Sequence, residues 1–230
     1  MQSLEYDRSF LAARILLDKI NANMIISGAF GLFEKKTVIA VGGYDNSTMG
    51  EDMELVVRLH EFSRMNRKPY KIHFAQDAIC WSQTPEKLSE LCKQRKRWQR
   101  GLFQCMWGHR KMLANPRYGA VGLLSYLYFL LYELLSPFIE LLGVLTMVLS
   151  VVMDMLNVKF MLVFLACYAL YGILLTLTAY FSRIYTIDQR LSFRELILAI
   201  IACFFETTFL RFYLELSLIH ISEPTRLGMI

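Results

Sequence analysis

The 230-residue chain is 55% hydrophobic and 20% charged, with a net charge of +5 and a mean hydropathy of +0.37. A disordered chain is excluded, because disorder needs low hydrophobicity and high charge. Residues 1–120 carry 19 Lys+Arg against 12 Asp+Glu (+7) and residues 121–230 carry 6 against 8 (−2), which argues against an ordinary soluble domain and fits a cytosolic portion joined to a membrane portion.

Residues 4–20 alternate apolar and charged positions at helical spacing and predict an amphipathic helix, facing a core or lying at a bilayer surface. Residues 24–33 (MIISGAFGLF) read as strand, turn, strand, and residues 34–41 as a short helix ended by Gly42-Gly43. Gly50-Glu51-Asp52 opens a helix to about Asn66 with Met53, Val56, Val57 and Leu59 on its apolar face. Residues 70–74 predict a strand and 78–81 a possible further one. Pro85 precedes a long helix, about 86–113, which Asn115-Pro116 ends. Strands alternating with helices predict part of an α/β layer.

Two groups in this half carry chemical potential. Glu51-Asp52 is a carboxylate pair at a helix start; capping alone accounts for it, at about 0.3–1 kcal/mol through the helix dipole, and the functional alternative makes Asp52 a general base. On the long helix, Gln94, Arg97 and Trp98 share one face, with Gly101 on the same stripe leaving space beside the indole. An arginine fork suits paired phosphate oxygens, and an indole face suits the C–H face of a sugar. A basic helix that binds anionic lipid head groups is the alternative. The five cysteines form no C-x-x-C pair, the four histidines show no metal-ligand spacing, and no D-x-D pair occurs.

Three apolar runs follow: 121–153, interrupted by Pro137 and carrying Glu133 and Glu140; 158–181, with Lys159 as its one charge; and 196–210, weakened by Glu206. A spanning helix needs about 20 apolar residues, so about three helices are expected. Lys and Arg concentrate before the first run and between the second and third (Arg183, Arg190, Arg194), whereas the loop at 154–157 is short and acidic. By the positive-inside rule residues 1–118 are cytoplasmic.

Glu51-Asp52 followed some forty residues later by Gln94-Arg95-Lys96-Arg97-Trp98 and then by membrane spans resembles the membrane-embedded family 2 glycosyltransferases, the group of cellulose, chitin, hyaluronan and poly-N-acetylglucosamine synthases. Ser27-Gly28-Ala29-Phe30-Gly31 resembles the family's acceptor-lining segment and Gly42-Gly43-Tyr44 its turn before the catalytic carboxylate. The resemblance covers residues 2–181.

It implies an α/β fold, a partial GT-A-like domain over 1–118, followed by an α-helical transmembrane bundle over 119–215 in the plasma (inner) membrane. It implies inverting transfer from a nucleotide-sugar donor to a saccharide or lipid-linked acceptor: Asp52 takes the acceptor proton, Glu51 orients the site, Gln94 and Arg97 steady the diphosphate, Trp98 stacks on the acceptor, and Ser27, Gly28 and Ala29 line its path. Glu133 and Glu140 would face a translocation path. No nucleic acid is implied. A divalent metal (Mg or Mn) belongs to the family's D-x-D pair, whose ligands are not in this chain; with the uridine-binding strands also missing, the expectation is a C-terminal portion of a synthase, inactive alone. Transfer of one sugar to a lipid carrier and a non-catalytic membrane scaffold are the competing functions. Residues 216–226 (LSLIHISEPTR) resemble the translation of a transposase sequencing adapter, so 216–230 is expected to be a non-native tail.

Overall fold

The computed structural model describes residues 6, 13–67, 70–75, 78–80, 82–187, 192–205 and 213. In chain order its helices are α1 (Arg14–Lys19), α2 (Lys35–Ala40), α3 (Glu51–Met65), α4 (Leu88–Gly108), a wide-turned α5 (Val121–Leu134), α6 (Ser136–Val152), α7 (Val158–Ile187) and α8 (Phe193–Phe205). Short 3-10 turns at Arg110–Met112 and Pro116–Tyr118 join α4 to α5.

The helices expected at 34–41, from Glu51 to about Asn66 and along 86–113 are present, the last ending at Gly108. On α3 the expected face, Met53, Val56, Val57 and Leu59, is buried, together with Leu55. Of these, Met53 and Val57 pack with Ala22, Met24, Cys105, Met106, Met112, Tyr118, Val121 and Tyr126 into one core. The core therefore runs from the extended segment after α1 through α3 and α4 into the first turns of α5. Two polar contacts pin α5 there: Ser125 Oγ donates to the Ala22 carbonyl at 2.6 Å, and the Tyr126 hydroxyl donates to the Met106 carbonyl. Of the amphipathic helix expected at 4–20, Tyr6 and residues 13–20 lie within the described residues; Leu17 packs on the core.

The expected strands are corrected. Among the described residues none forms a strand: 22–27, 70–75 and 78–80 belong to no ladder, and 27–30 turns through a Phe30 N–H to Ser27 carbonyl bond at 3.1 Å. Trp81 lies outside the described residues. The reason is visible at 70–74. The N–H groups of Tyr70, Ile72 and Phe74 point one way, as along a strand edge, but they donate to the side-chain oxygens of Ser63 (3.3 Å), Asn21 (3.0 Å) and Asp18 (2.7 Å). The backbone donors that a sheet neighbour would take are satisfied by side chains from α1, the residues after it and α3.

The first apolar run breaks where Pro137 predicts. Val121–Leu134 and Ser136–Val152 meet at a bend of 50°. Val158–Tyr185 is long and apolar enough to cross a bilayer and is almost wholly uncovered by the rest of the protein. Taken together, α5 and α6 would make a second, bent crossing segment. α7 packs on α8 through small residues, Thr176, Ala179, Ala199 and Cys203, and the Cys203 thiol reaches the Gly172 carbonyl at 3.7 Å. Glu206, Arg211 and the expected tail at 216–230 lie outside the described residues.

His60, buried on the inner face of α3, is held neutral: its Nε2–H donates to the Asn23 carbonyl at 2.8 Å, and burial, with Arg64 adding, pushes its pKa down to about 4. Between pH 4 and 6.5 the unfolded chain binds the proton that the folded chain refuses, so stability rises with pH, by about 3 kcal/mol across the window. His60→Gln is expected to remove that slope. Thermal unfolding of the detergent-solubilised protein at stepped pH checks this; an unchanged slope refutes it.

Candidate active site

The carboxylate motif and the basic helix meet through their glycines. Gly50, the residue before α3, lies against Gly101 of α4 so closely that a Cβ on Gly101 would stand 2.7 Å from the Gly50 nitrogen and 2.8 Å from its Cα. The helical spacing leaves room at Gly101 for the indole of Trp98. The structure corrects this expectation: the room is filled by the Gly50 backbone. One turn further, Gln104 Oε1 accepts the Met49 N–H at 2.9 Å. Sequence reasoning missed Gln104, although it falls on the same stripe as Gln94, Arg97, Trp98 and Gly101.

Asp52 then sits in the first turn of α3 with two backbone donors. The Met53 N–H reaches Oδ1 at 2.8 Å and the Gly28 N–H reaches Oδ2 at 3.2 Å. The second bond brings the Ser27-Gly28-Ala29 turn onto the carboxylate. Helix-start amide dipoles favour an anion here. The Asp52 charge is felt on two further elements. On α4, burial pushes the Cys105 thiol up to about 12, with Glu54 and Asp52 adding to the shift. On α1, burial pushes the Arg14 guanidinium down to about 10, opposed by Asp52 and by Glu133 of α5. Arg14 is thus an overlooked cation that feels both the candidate base and an acid on the first apolar segment. Glu51, beside Asp52, is exposed.

The basic stripe is only partly gathered at this point. Trp98 is 38% exposed, and the Arg95 guanidinium lies 4.8 Å from its ring centroid, a cation–π contact. Arg97 is exposed one turn before Gly101. Gln94 lies about 10 Å from Gly101 along the helix axis and lines an open groove with Gln83, Lys87 and Glu90. Gly28, Asp52, Gly50 and Gly101 are brought into direct contact; Gln94 and Arg97 share their helix with that contact and do not take part in it.

A second buried group braces the site. Arg58 donates to the carbonyls of Val41 and Gly43, each at 2.6 Å, and to Glu54 Oε2 at 2.7 Å. Gly42 and Gly43 have φ of 95° and 76°, the left-handed region that favours glycine, which turns those carbonyls toward Arg58. Glu54 Oε1 lies 3.4 Å from His109 Nε2, and His109 Nδ1 lies 2.6 Å from Glu61 Oε2. Burial penalises the Glu54 carboxylate, yet bonds to His109 and Arg58 outweigh it and hold its pKa below the usual range. Burial likewise works against the His109 cation, and Glu54 and Glu61 outweigh it to raise its pKa.

Among the described residues no group of three or more His, Cys, Asp or Glu is arranged to hold a metal ion. Glu54, His109 and Glu61 are turned on one another. The donor set here does not fit a resident divalent cation.

Two outcomes follow from this geometry. Gly101→Ala is expected to cost about 1–3 kcal/mol, because backbone atoms must move to admit the methyl group, whereas Gly108→Ala, with open space around it, is expected to be neutral; thermal unfolding of both variants decides. For His109, whose pKa is raised, the stabilisation is complete below its ordinary value of 6.5 and is lost as pH rises through the folded value. His109→Gln should flatten the fall in thermal midpoint above pH 6.5, and an identical fall in both proteins would refute the assignment.

Comparison with known proteins gives the family of the chain. The family model described as glycosyl transferase family group 2 matches residues 1–221. The poly-beta-1,6-N-acetyl-D-glucosamine synthase of Staphylococcus aureus (strain COL) is 37% identical over 90 residues, 39% of this chain and 19% of that synthase. The synthase of the same name from Staphylococcus epidermidis (strain ATCC 35984) is 31% identical over 115 residues, 50% of this chain and 25% of that protein. The matched stretch is thus about a fifth to a quarter of these relatives' length. No solved structure matches the chain. With nearly its whole length covered by the family model, the chain belongs to glycosyl transferase family group 2.

Proposed function

We propose that the chain is the C-terminal part of a membrane-embedded polysaccharide synthase that transfers a sugar, with inversion, from a nucleotide-sugar donor to a growing saccharide. The observation that carries this reading is the contact series Gly28–Asp52 and Gly50–Gly101, which joins three motif segments around one carboxylate. The names of the relatives favour N-acetylglucosamine as the sugar.

In this reading the acceptor hydroxyl gives its proton to an Asp52 carboxylate oxygen as its own oxygen forms a bond to the anomeric carbon. The bond from that carbon to the donor's diphosphate breaks, and the diphosphate leaves with the electron pair. The backbone N–H groups of Met53 and Gly28 aim the carboxylate. Glu51 orients the entry to it, and Ser27, Gly28 and Ala29 line the acceptor path. Arg97 and Gln94 meet the diphosphate, and the exposed face of Trp98 meets the acceptor ring. Residues 1–118 lie on the cytoplasmic side of the plasma membrane, with the bilayer around α5–α6 and α7. The exposure of the apolar Val158–Tyr185 supports this placement, since a soluble core helix would be covered.

Asp52→Asn in the full-length enzyme tests the reading. Removing a general base is expected to lower sugar incorporation by about 10²–10⁴-fold, with thermal stability close to wild type. Incorporation that survives unchanged would sink the assignment. The size of the wild-type product separates polymer synthesis from transfer of one sugar to a lipid carrier.

A further inference from the structure

The bend in the first apolar segment leaves two specific carbonyls without their helical donors. In a continuous α-helix the Glu133 carbonyl would take the N–H of residue 137, and residue 137 is proline, which has none. The Leu134 carbonyl would take the Phe138 N–H, but that group bonds the Leu135 carbonyl instead, at 3.1 Å. The Leu135 N–H reaches back five residues to the Leu130 carbonyl at 2.9 Å, closing the wide turn. The two abandoned acceptors are those that Gln99 of α4 occupies: its Nε2 donates to the Leu134 carbonyl at 3.0 Å and to the Glu133 carbonyl at 3.4 Å.

Gln99 is the neighbour of Trp98 in sequence and lies two residues before Gly101. A side chain on the helix that touches Gly50 therefore supplies the hydrogen-bond donors missing at a bend in a different helix. A carbonyl left bare next to apolar surroundings is costly, so the bend angle and the position of α4 are set together.

We propose that Gln99 is a positioning residue that clamps the bent first apolar segment to the helix carrying Trp98, so that the growing chain leaves the transfer site in register with its path along that segment. The proposal rests on the polymer-synthase reading above for its functional half, while its structural half stands without it.

The test uses the full-length protein in detergent and pairs two measurements. The first is the distance distribution between spin labels at Lys93 on α4 and Val148 on α6 in a cysteine-substituted background. The second is sugar transfer, read separately as the rate of first transfer and as mean product length. Gln99→Ala is expected to broaden the distance distribution. It should shorten the product by about five-fold, the factor that one net hydrogen bond supplies, with first transfer within about two-fold of wild type. Pro137→Ala returns an N–H to the Glu133 carbonyl, so in that background both effects of Gln99→Ala should shrink.

A distance distribution unmoved by Gln99→Ala, or an effect of equal size with and without the Pro137→Ala substitution, overturns the clamp. A first-transfer rate that falls as much as product length overturns the positioning role and makes Gln99 part of the chemistry. If the wild-type enzyme transfers no sugar, the functional reading fails, and the distance measurement still decides whether the clamp exists.

Discussion

The approach of two glycine backbones, Gly50 before α3 and Gly101 within α4, is the constraint from which the rest of the site follows. Glycine in a helix interior costs about 1 kcal/mol relative to alanine, so α4 is locally weaker for it. In return the start of α3 lies on α4 at a separation that no side chain permits. With that contact in place, the Met49 N–H meets Gln104 and the Asp52 carboxylate comes within electrostatic reach of Cys105. Its Oδ2 remains available to the Gly28 N–H. A wider gap would leave α3 able to rotate, and Asp52 would no longer face the 27–30 turn.

The acids of α3 have different fates because the helix presents them to different neighbours. Glu51 faces outward. Asp52 is met by backbone donors, which orient an anion without cancelling it by a side-chain ion pair. Glu54, two residues on, is buried among Arg58 and His109, and Glu61 completes the His109 pair. Burial of an unpaired charge costs several kcal/mol; these partners offset that cost and tie the 41–43 turn, α3 and the end of α4 into one block. The site can thus keep one aimed carboxylate because its neighbours are neutralised by structural partners.

What could be read from the sequence divides along the same physical line. The helices were legible because their apolar positions recur at a fixed spacing, and the break at Pro137 because a missing N–H is a local fact. The strands were misread because a run such as MIISGAFGLF fixes extended backbone but not its partners, and at 70–74 the partners are Ser63, Asn21 and Asp18 rather than a neighbouring strand. Asp52 and the Trp98 stripe could be named from motif and spacing. The role of Gly101 could not, because a gap in a helix surface does not say what fills it. His109 gave no signal: its acids, Glu54 and Glu61, both lie on another helix and become its partners only when α3 and α4 pack.

Family membership brings with it a GT-A-like domain, and the position of the core explains how such a domain is joined to an apolar helix without a hinge. Val121 and Tyr126, at the start of α5, are as buried as Met53 and Val57 of α3. Side-chain bonds from Ser125 and Tyr126 reach segments 103 and 20 residues away in sequence. The Arg14 guanidinium feels the charges of both Asp52 and Glu133, an electrostatic tie between the same two places. A rigid junction of this kind forces any change in the tilt of the first apolar segment either to move α3 and α4 with it or to be absorbed below the core. The bend at residues 135–137 lacks two helical backbone bonds, and Gln99 of α4 fills both vacated carbonyls, so the bend is itself tied to α4. A change of tilt at the bend is therefore carried to the helix that holds Gly101 against Gly50.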